Sequence, residues 1–390
     1  MKPQPINEQY LLPTYARRQI AFERGQNATL FDEAGNDYID FASGIGVNSV
    51  GYANPRLSAA VADQAAKILH ISNLYLNRNQ AELAQTIARL SGSDAQVFFG
   101  NSGAEANECA FKIARKYGEK RGRYEIITLR NSFHGRTIAA LKATAQDKFH
   151  EHFGPFPDGF TYADDLDHAA KLIGKRTIAV MVEIVQGEGG VTPLDKDRLL
   201  SLAKLLRDQD LLLITDEIQC GVYRCGEFLA SQIYGVKPDI FTLAKGLGGG
   251  VPIGAAATTI KNALGFGDHA STFGGNFLAT KAALVTLEIL EGLRASGALG
   301  RTIDYFGDRC RATTLNFPTL FTGVTGIGLM KALVAKDGAA QKAIIDAAHE
   351  NRLLVLRAGE DRVRLLPPLT ISLEEIGEGF ERLDRACRSL

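Results

Sequence analysis

The chain has 390 residues, with 44 Lys and Arg against 44 Asp and Glu, and 45% of its residues are apolar. A formal net charge of zero gives no bulk attraction to nucleic acid or to an anionic membrane, and no apolar run approaches the length of a membrane span. The composition is that of a soluble globular enzyme, and the length is enough for a large core and two subdomains.

The first stretch, MKPQPINEQYLLP, lacks the apolar core of a leader peptide, so a cytoplasmic location is expected. Cys109, Cys220, Cys225, Cys310 and Cys387 are scattered and odd in number, which argues against a disulfide framework. His150 and His152 flank Glu151, but no further ligands are spaced with them. A solvated loop is therefore expected there, and no metal site.

Ala28–Phe41 alternates as a β-hairpin about Ala34-Gly35-Asn36, and Ser43–Gly46 follows as a flexible crossing. Asn54-Pro55 starts a helix whose apolar spacing runs over Leu57–Leu69. His70–Asn77 is a polar and aromatic loop, and Ala81–Leu90 is helical again. Val97–Phe99 is a buried strand, after which Asn101–Ala106 opens a helix reaching Tyr117. A strand, a small-residue turn and a helix start present free backbone N–H groups to an anion, and Ser102 can add a hydroxyl. The same pattern also describes an ordinary helix capped by Ser102.

Strands are expected at Glu125–Leu129, Ile178–Val185, Leu211–Thr215, Ile240–Leu243 and Gly254–Thr258, with a helix at Leu199–Arg207. Continuous apolar strands separated by helices predict an α/β fold with a mostly parallel sheet, buried on both faces. Polar residues gather where those strands end, in Asn131–Thr137, Gln186–Gly190 and Asp216-Glu217. After a long helix over Leu278–Leu293 the pattern turns to α+β. Strands at Leu329–Val334, Leu353–Leu356 and Val363–Leu366 accompany helices at Ala339–Glu350 and Ser372–Arg388. The expected division is a small domain from residues 1–50 and 291–390 around a large cofactor-binding domain at 51–290.

Two residues carry most of the chemistry. Lys245 stands just past the strand Ile240–Leu243 and before Gly246, Gly248, Gly249 and Gly250. A desolvated ammonium gives up its proton more readily and becomes a nucleophile, and the glycines would let a flat group approach. A lysine holding an aldehyde cofactor fits this setting; so does a lysine whose stem merely snorkels to the surface. Asp216 ends an apolar strand, where a carboxylate calls for a positive partner, either a protonated ring nitrogen or a structural salt bridge.

Together the blocks NSGAEANECAFKIARKY, NSFHGRTIAALKAT, IVQGEGGVTP, LLLITDEIQCGVYRCG, PDIFTLAKGLGGGVPIGA and STFGGN resemble, in the same order, those of class III (subgroup II) pyridoxal-phosphate aminotransferases. The likeness runs from about Tyr10 to the last helix. It implies fold type I of the pyridoxal-phosphate transferases, with a mostly parallel seven-stranded-type sheet and a small α+β domain. It implies that Lys245 carries pyridoxal 5′-phosphate, Asp216 pairs with its ring nitrogen, Gln219 lies by its phenolic oxygen and Phe133 stacks on its face. Ser102, Gly103 and Ala104 would hold the phosphate, with Thr272 reaching the phosphate of a neighbouring subunit and Ser271 beside the substrate there, so a homodimer with composite sites is expected. Arg136 and Arg364 would take the carboxylates of the amino donor and of 2-oxoglutarate or glutamate, with Glu188 masking Arg364. The implied reaction moves the distal amine of N2-acetylornithine to 2-oxoglutarate. Succinylornithine, ornithine, succinyl-diaminopimelate and 4-aminobutyrate are the alternative donors, and an aminomutase or racemase on the same scaffold is the alternative chemistry. Ile184, Tyr223, Cys225, Ala270 and Phe277 depart from the family pattern without removing any of these groups.

Overall fold

The apolar runs in the middle of the chain become one seven-stranded sheet in the computed structural model, which describes residues 6–390. The first five residues, the start of the stretch weighed as a leader, lie outside the described residues. The strand order is Gln96–Gly100, Gly254–Thr258, Ile240–Leu243, Leu212–Asp216, Thr177–Val182, Glu125–Leu129, Phe160–Ala163. Gly254–Thr258 is antiparallel to both its neighbours and the other strands run one way, so the expected mostly parallel sheet is present. Thr177–Val182 and Leu212–Asp216 are buried at every position, as strands covered on both faces must be.

Both chain ends meet in a second region. Phe22–Gln26, Thr29–Asp32 and Asp37–Asp40 form an antiparallel meander, and Leu353–Leu354 adds to it in parallel, pairing with Ile39 and Asp40. The closing helix Leu373–Arg388 starts with a capping box between Ser372 and Glu375. Glu375 also accepts from Ala28 N at 2.9 Å, and the buried Arg382 donates to the carbonyls of Asp37 and Arg352, both at 3.0 Å. A further antiparallel sheet joins Phe321–Ile327, Met330–Ala335, Arg362–Leu365 and Leu356–Ala358.

Several expectations are corrected. Ile178–Val185 is not one strand: it stops at Val182, and Val185–Gln186 turns away to pair with Thr192–Pro193. Ser43–Gly46 is a tight, held turn rather than a flexible crossing, since Ser43 N donates to Asp40 Oδ1 at 2.9 Å and Ser43 Oγ to the Leu366 carbonyl at 2.6 Å. The helix expected over Leu57–Leu69 spans Pro55–Ala65. Leu353–Leu356 splits at Val355 between two sheets. Sequence patterning passes over Phe160–Ala163, Phe321–Ile327 and the helix Ala298–Asn316, whose short or Thr- and Gly-interrupted runs carry no clear period. All five cysteines are buried free thiols. Glu151 and His152 are exposed, but His150 is half-buried, with Nε2 2.7 Å from the Thr144 carbonyl, so the solvated-loop reading fails for that residue.

Candidate active site

The carboxyl ends of five parallel strands open onto one cavity of about 440 Å³. Ser102–Ala104 enter it after Gln96–Gly100, Phe133–Arg136 after Glu125–Leu129, and Glu183 and Glu188 after Thr177–Val182. Asp216 and Gln219 come from the end of Leu212–Asp216, and Lys245 from beyond Ile240–Leu243. Parallel strands bring these distant residues together because every loop at this edge leaves the sheet in the same direction.

Asp216 is 3% exposed, and three polar groups already meet its carboxylate, one of them at Oδ1. Its Oδ2 accepts from Asn107 Nδ2 at 2.9 Å and lies 2.8 Å from His134 Nδ1, and Oδ1 accepts from Ile218 N at 3.1 Å. An ionised carboxylate can only accept, so in this contact Nδ1 carries the imidazole proton. His134 Nε2 and Asn107 Oδ1 are buried with no partner among the described residues. Lys245 occupies the left-handed region, with φ of +42°, a strained conformation for a side chain of its size. Burial pulls its ammonium below the ordinary lysine range, against the opposing pull of Asp216 and Glu188.

Of the glycines after Lys245, Gly249 serves packing and Gly250 faces the cavity. A Cβ at Gly249 would meet Thr286 Oγ1 at 2.6 Å and Leu57 at 2.8 Å, so this glycine lets the chain pack on two helices; Gly250 lines the cavity. At the start of the helix Gly103–Gly118, Ser102 is the cap and accepts from Glu105 N at 3.2 Å. The amides of Gly103 and Ala104, in the first turn, have no carbonyl of their own helix to reach. A Cβ at Gly103 would crowd Ile218 at 2.8 Å.

Arg364 is 3% exposed, and its Nη1 donates to Glu188 Oε1 at 2.6 Å and Gln219 Oε1 at 3.2 Å. Arg136 is exposed and stacks over Phe149 at 4.0 Å and Phe133 at 5.5 Å. Ser271 and Thr272 do not line this cavity. Ser271 accepts from Asn101 Nδ2 at 3.2 Å and borders a separate hollow of about 910 Å³ with Ala270 and Phe277. Ile184, Tyr223 and Cys225 are buried in the core.

Sequence reasoning assigned no part to Asn107, His134 or Glu183. Asn107 had a signal: it is a wholly buried amide on a helix face made of Ala106, Ala110 and Phe111. Glu183 is 6% exposed, with burial pushing its carboxyl up to about 7.

Residues 13–387 match the family described as Aminotransferase class-III. The acetylornithine aminotransferase of Wolinella succinogenes is 54% identical over 389 residues, covering 99% of each chain. The succinylornithine transaminase of Yersinia pseudotuberculosis is 41% identical, covering 98% of this chain and 96% of its own. Among solved structures, the ornithine aminotransferase of Toxoplasma gondii, crystallised with pyridoxal phosphate at partial occupancy in its active site, superposes with a TM-score of 0.91. It is 32% identical and is matched over 98% of this chain and 93% of its own. With the blocks in order, the sheet matched and a buried acid facing a strand-end lysine, the chain belongs to the class-III aminotransferases.

Proposed function

We propose that this aminotransferase moves the distal amino group of N2-acetyl-L-ornithine to 2-oxoglutarate, giving N-acetyl-L-glutamate 5-semialdehyde and L-glutamate. The observation that carries the reading is one cavity lined by a partly desolvated lysine, a buried aspartate, and an acid, Glu188, that pairs with the buried Arg364. The donor set fits pyridoxal 5′-phosphate. Asp216 offers a buried anion for the ring nitrogen, Phe133 a ring for its face, and Gln219 a polar group for its phenolic oxygen. Ser102 and the amides of Gly103 and Ala104 offer donors for the phosphate. When bound, that cofactor withdraws electrons from the carbon whose nitrogen is transferred.

The protein's own residues do the rest. Lys245 Nζ, kept short of full solvation, is the base for the proton on the donor's amine-bearing carbon and, in the second half-reaction, delivers a proton to the α-carbon that comes from 2-oxoglutarate. Arg136 holds the donor's α-carboxylate. Arg364 takes that of 2-oxoglutarate once Glu188 yields it, and with Glu188 in place the donor's own α-carboxylate finds no free guanidinium there. Thr272 and Ser271, outside this cavity, would serve the site of a neighbouring subunit.

The name of the 41% identical Yersinia relative favours a second donor, succinylornithine. Comparing kcat/KM for N2-acetylornithine, N2-succinylornithine, ornithine, succinyl-diaminopimelate and 4-aminobutyrate, each with 2-oxoglutarate, tests the reading. Acetylornithine is expected to lead, and a lead for any other amine overturns the choice of donor.

A further inference from the structure

Glu183 directly follows the strand Thr177–Val182, and its carboxylate meets backbone donors from two different segments. Oε1 accepts from Phe133 N at 2.8 Å, and Oε2 accepts from Gly187 N at 3.2 Å. The first donor sits in the loop that carries Arg136, the second in the turn that carries Glu188, and both segments line the cavity. Gly187 lies against Gln219. A Cβ there would come 2.1 Å from Gln219 Oε1, the same oxygen that accepts from Arg364. The turn and the guanidinium therefore share Gln219 as a neighbour.

We infer that Glu183 is a positioning residue: its ionised carboxylate ties the Phe133–Arg136 loop and the Glu188 turn into one arrangement, and a proton on it releases one of the two. The inference deepens the transamination reading and rests on it for the roles of Arg136 and Arg364. An ionised carboxylate accepts at both oxygens, whereas a carboxylic acid turns one oxygen into a donor and cannot serve two N–H groups equally. Burial raises this carboxyl to about 7, His134 opposes the rise, and Asp216 adds to it. Cys220 and Lys245 are the other ionisable groups that sense its charge. The acid form therefore gains as pH falls through neutrality, and one tether is lost on that side.

Residue-resolved amide hydrogen exchange on the full chain without added cofactor, corrected for the intrinsic pH dependence of exchange, tests this at about pH 6 and about pH 8. In the unsubstituted protein the Phe133 or the Gly187 amide should be roughly tenfold less protected at the lower pH. Glu183→Gln, which keeps the shape but presents an NH2 to one donor, should show the low protection at both. In the loaded enzyme the same variant should raise KM for one substrate more than it lowers kcat, and should flatten the acid side of the pH profile. Should Glu183→Gln fail to fold, the exchange of the unsubstituted protein decides alone. Protection of both amides that does not change with pH overturns the proposal, as does a folded Gln variant indistinguishable from the parent. If exchange fails while amino transfer persists, the tether falls and the transamination reading stands. If the tether holds in a protein that transfers no amino group, the reverse is true.

Discussion

Lys245 is strained at φ +42° and short of full solvation, and both properties point to a side chain whose amine is meant to react. Borohydride reduction of the cofactor-loaded protein followed by peptide mapping should fix the cofactor on Lys245, and Lys245→Ala should lower turnover by about 10²–10⁴-fold. A label on another lysine would contradict this. Glu183 gives a pH prediction whose sign follows from its raised value. An unfolded glutamate titrates near 4.3, so between roughly that pH and 7 the folded protein holds a proton that the unfolded chain has lost. Its contribution to stability is present at low pH and is lost as pH rises through that window. Glu183→Gln should remove this slope, so relative to the parent its urea midpoint should improve on going from about pH 5 to about pH 8. Lys245 and Asp216 were legible in the sequence because each is a charged residue at the end of an apolar run. Glu183 also follows an apolar run, but the strand expected to continue to Val185 hid it, and the part of His134 comes from what it faces across the sheet edge.

Among the elements, the QGEGG turn does the most with the least bulk. The pattern of polar residues after an apolar strand marked it, but only the fold shows Val185–Gln186 leaving the sheet and Gly187 lying against Gln219. Gly187→Ala should push Gln219 aside, take an acceptor from Arg364, and raise KM for 2-oxoglutarate by roughly tenfold while the donor KM changes less. Equal effects on both substrates, measured under saturating conditions for the other, would show that the turn does not sort the two. The buried parallel strands were readable because burial on both faces writes continuous apolar runs. The edge strand Phe160–Ala163 is only four residues long and the hairpin strand Phe321–Ile327 is interrupted by Thr and Gly, so neither writes a continuous apolar run.

At the scale of the molecule, Leu74, Leu76 and Phe266 stand exposed around hollows that also take in Tyr75, Phe98, His269 and Ser271, none of which lines the cavity. Apolar side chains grouped in this way suit an interaction surface, and we propose that a second copy of this chain covers it. With the resemblance this supports a homodimer in which Thr272 completes a neighbouring site. Leu76→Glu should then shift sedimentation toward monomer and weaken cofactor retention together, because assembly and binding are linked; a fully active monomer would contradict it. In the proposed reaction a nitrogen leaves the far end of one substrate and arrives on the α-carbon of another. The most direct test is to supply N2-acetylornithine carrying ¹⁵N at its distal amine with unlabelled 2-oxoglutarate and follow the label by mass spectrometry. ¹⁵N should appear in glutamate in step with semialdehyde formation. Label released as ammonia, or retained in a rearranged donor without need of 2-oxoglutarate, would contradict it.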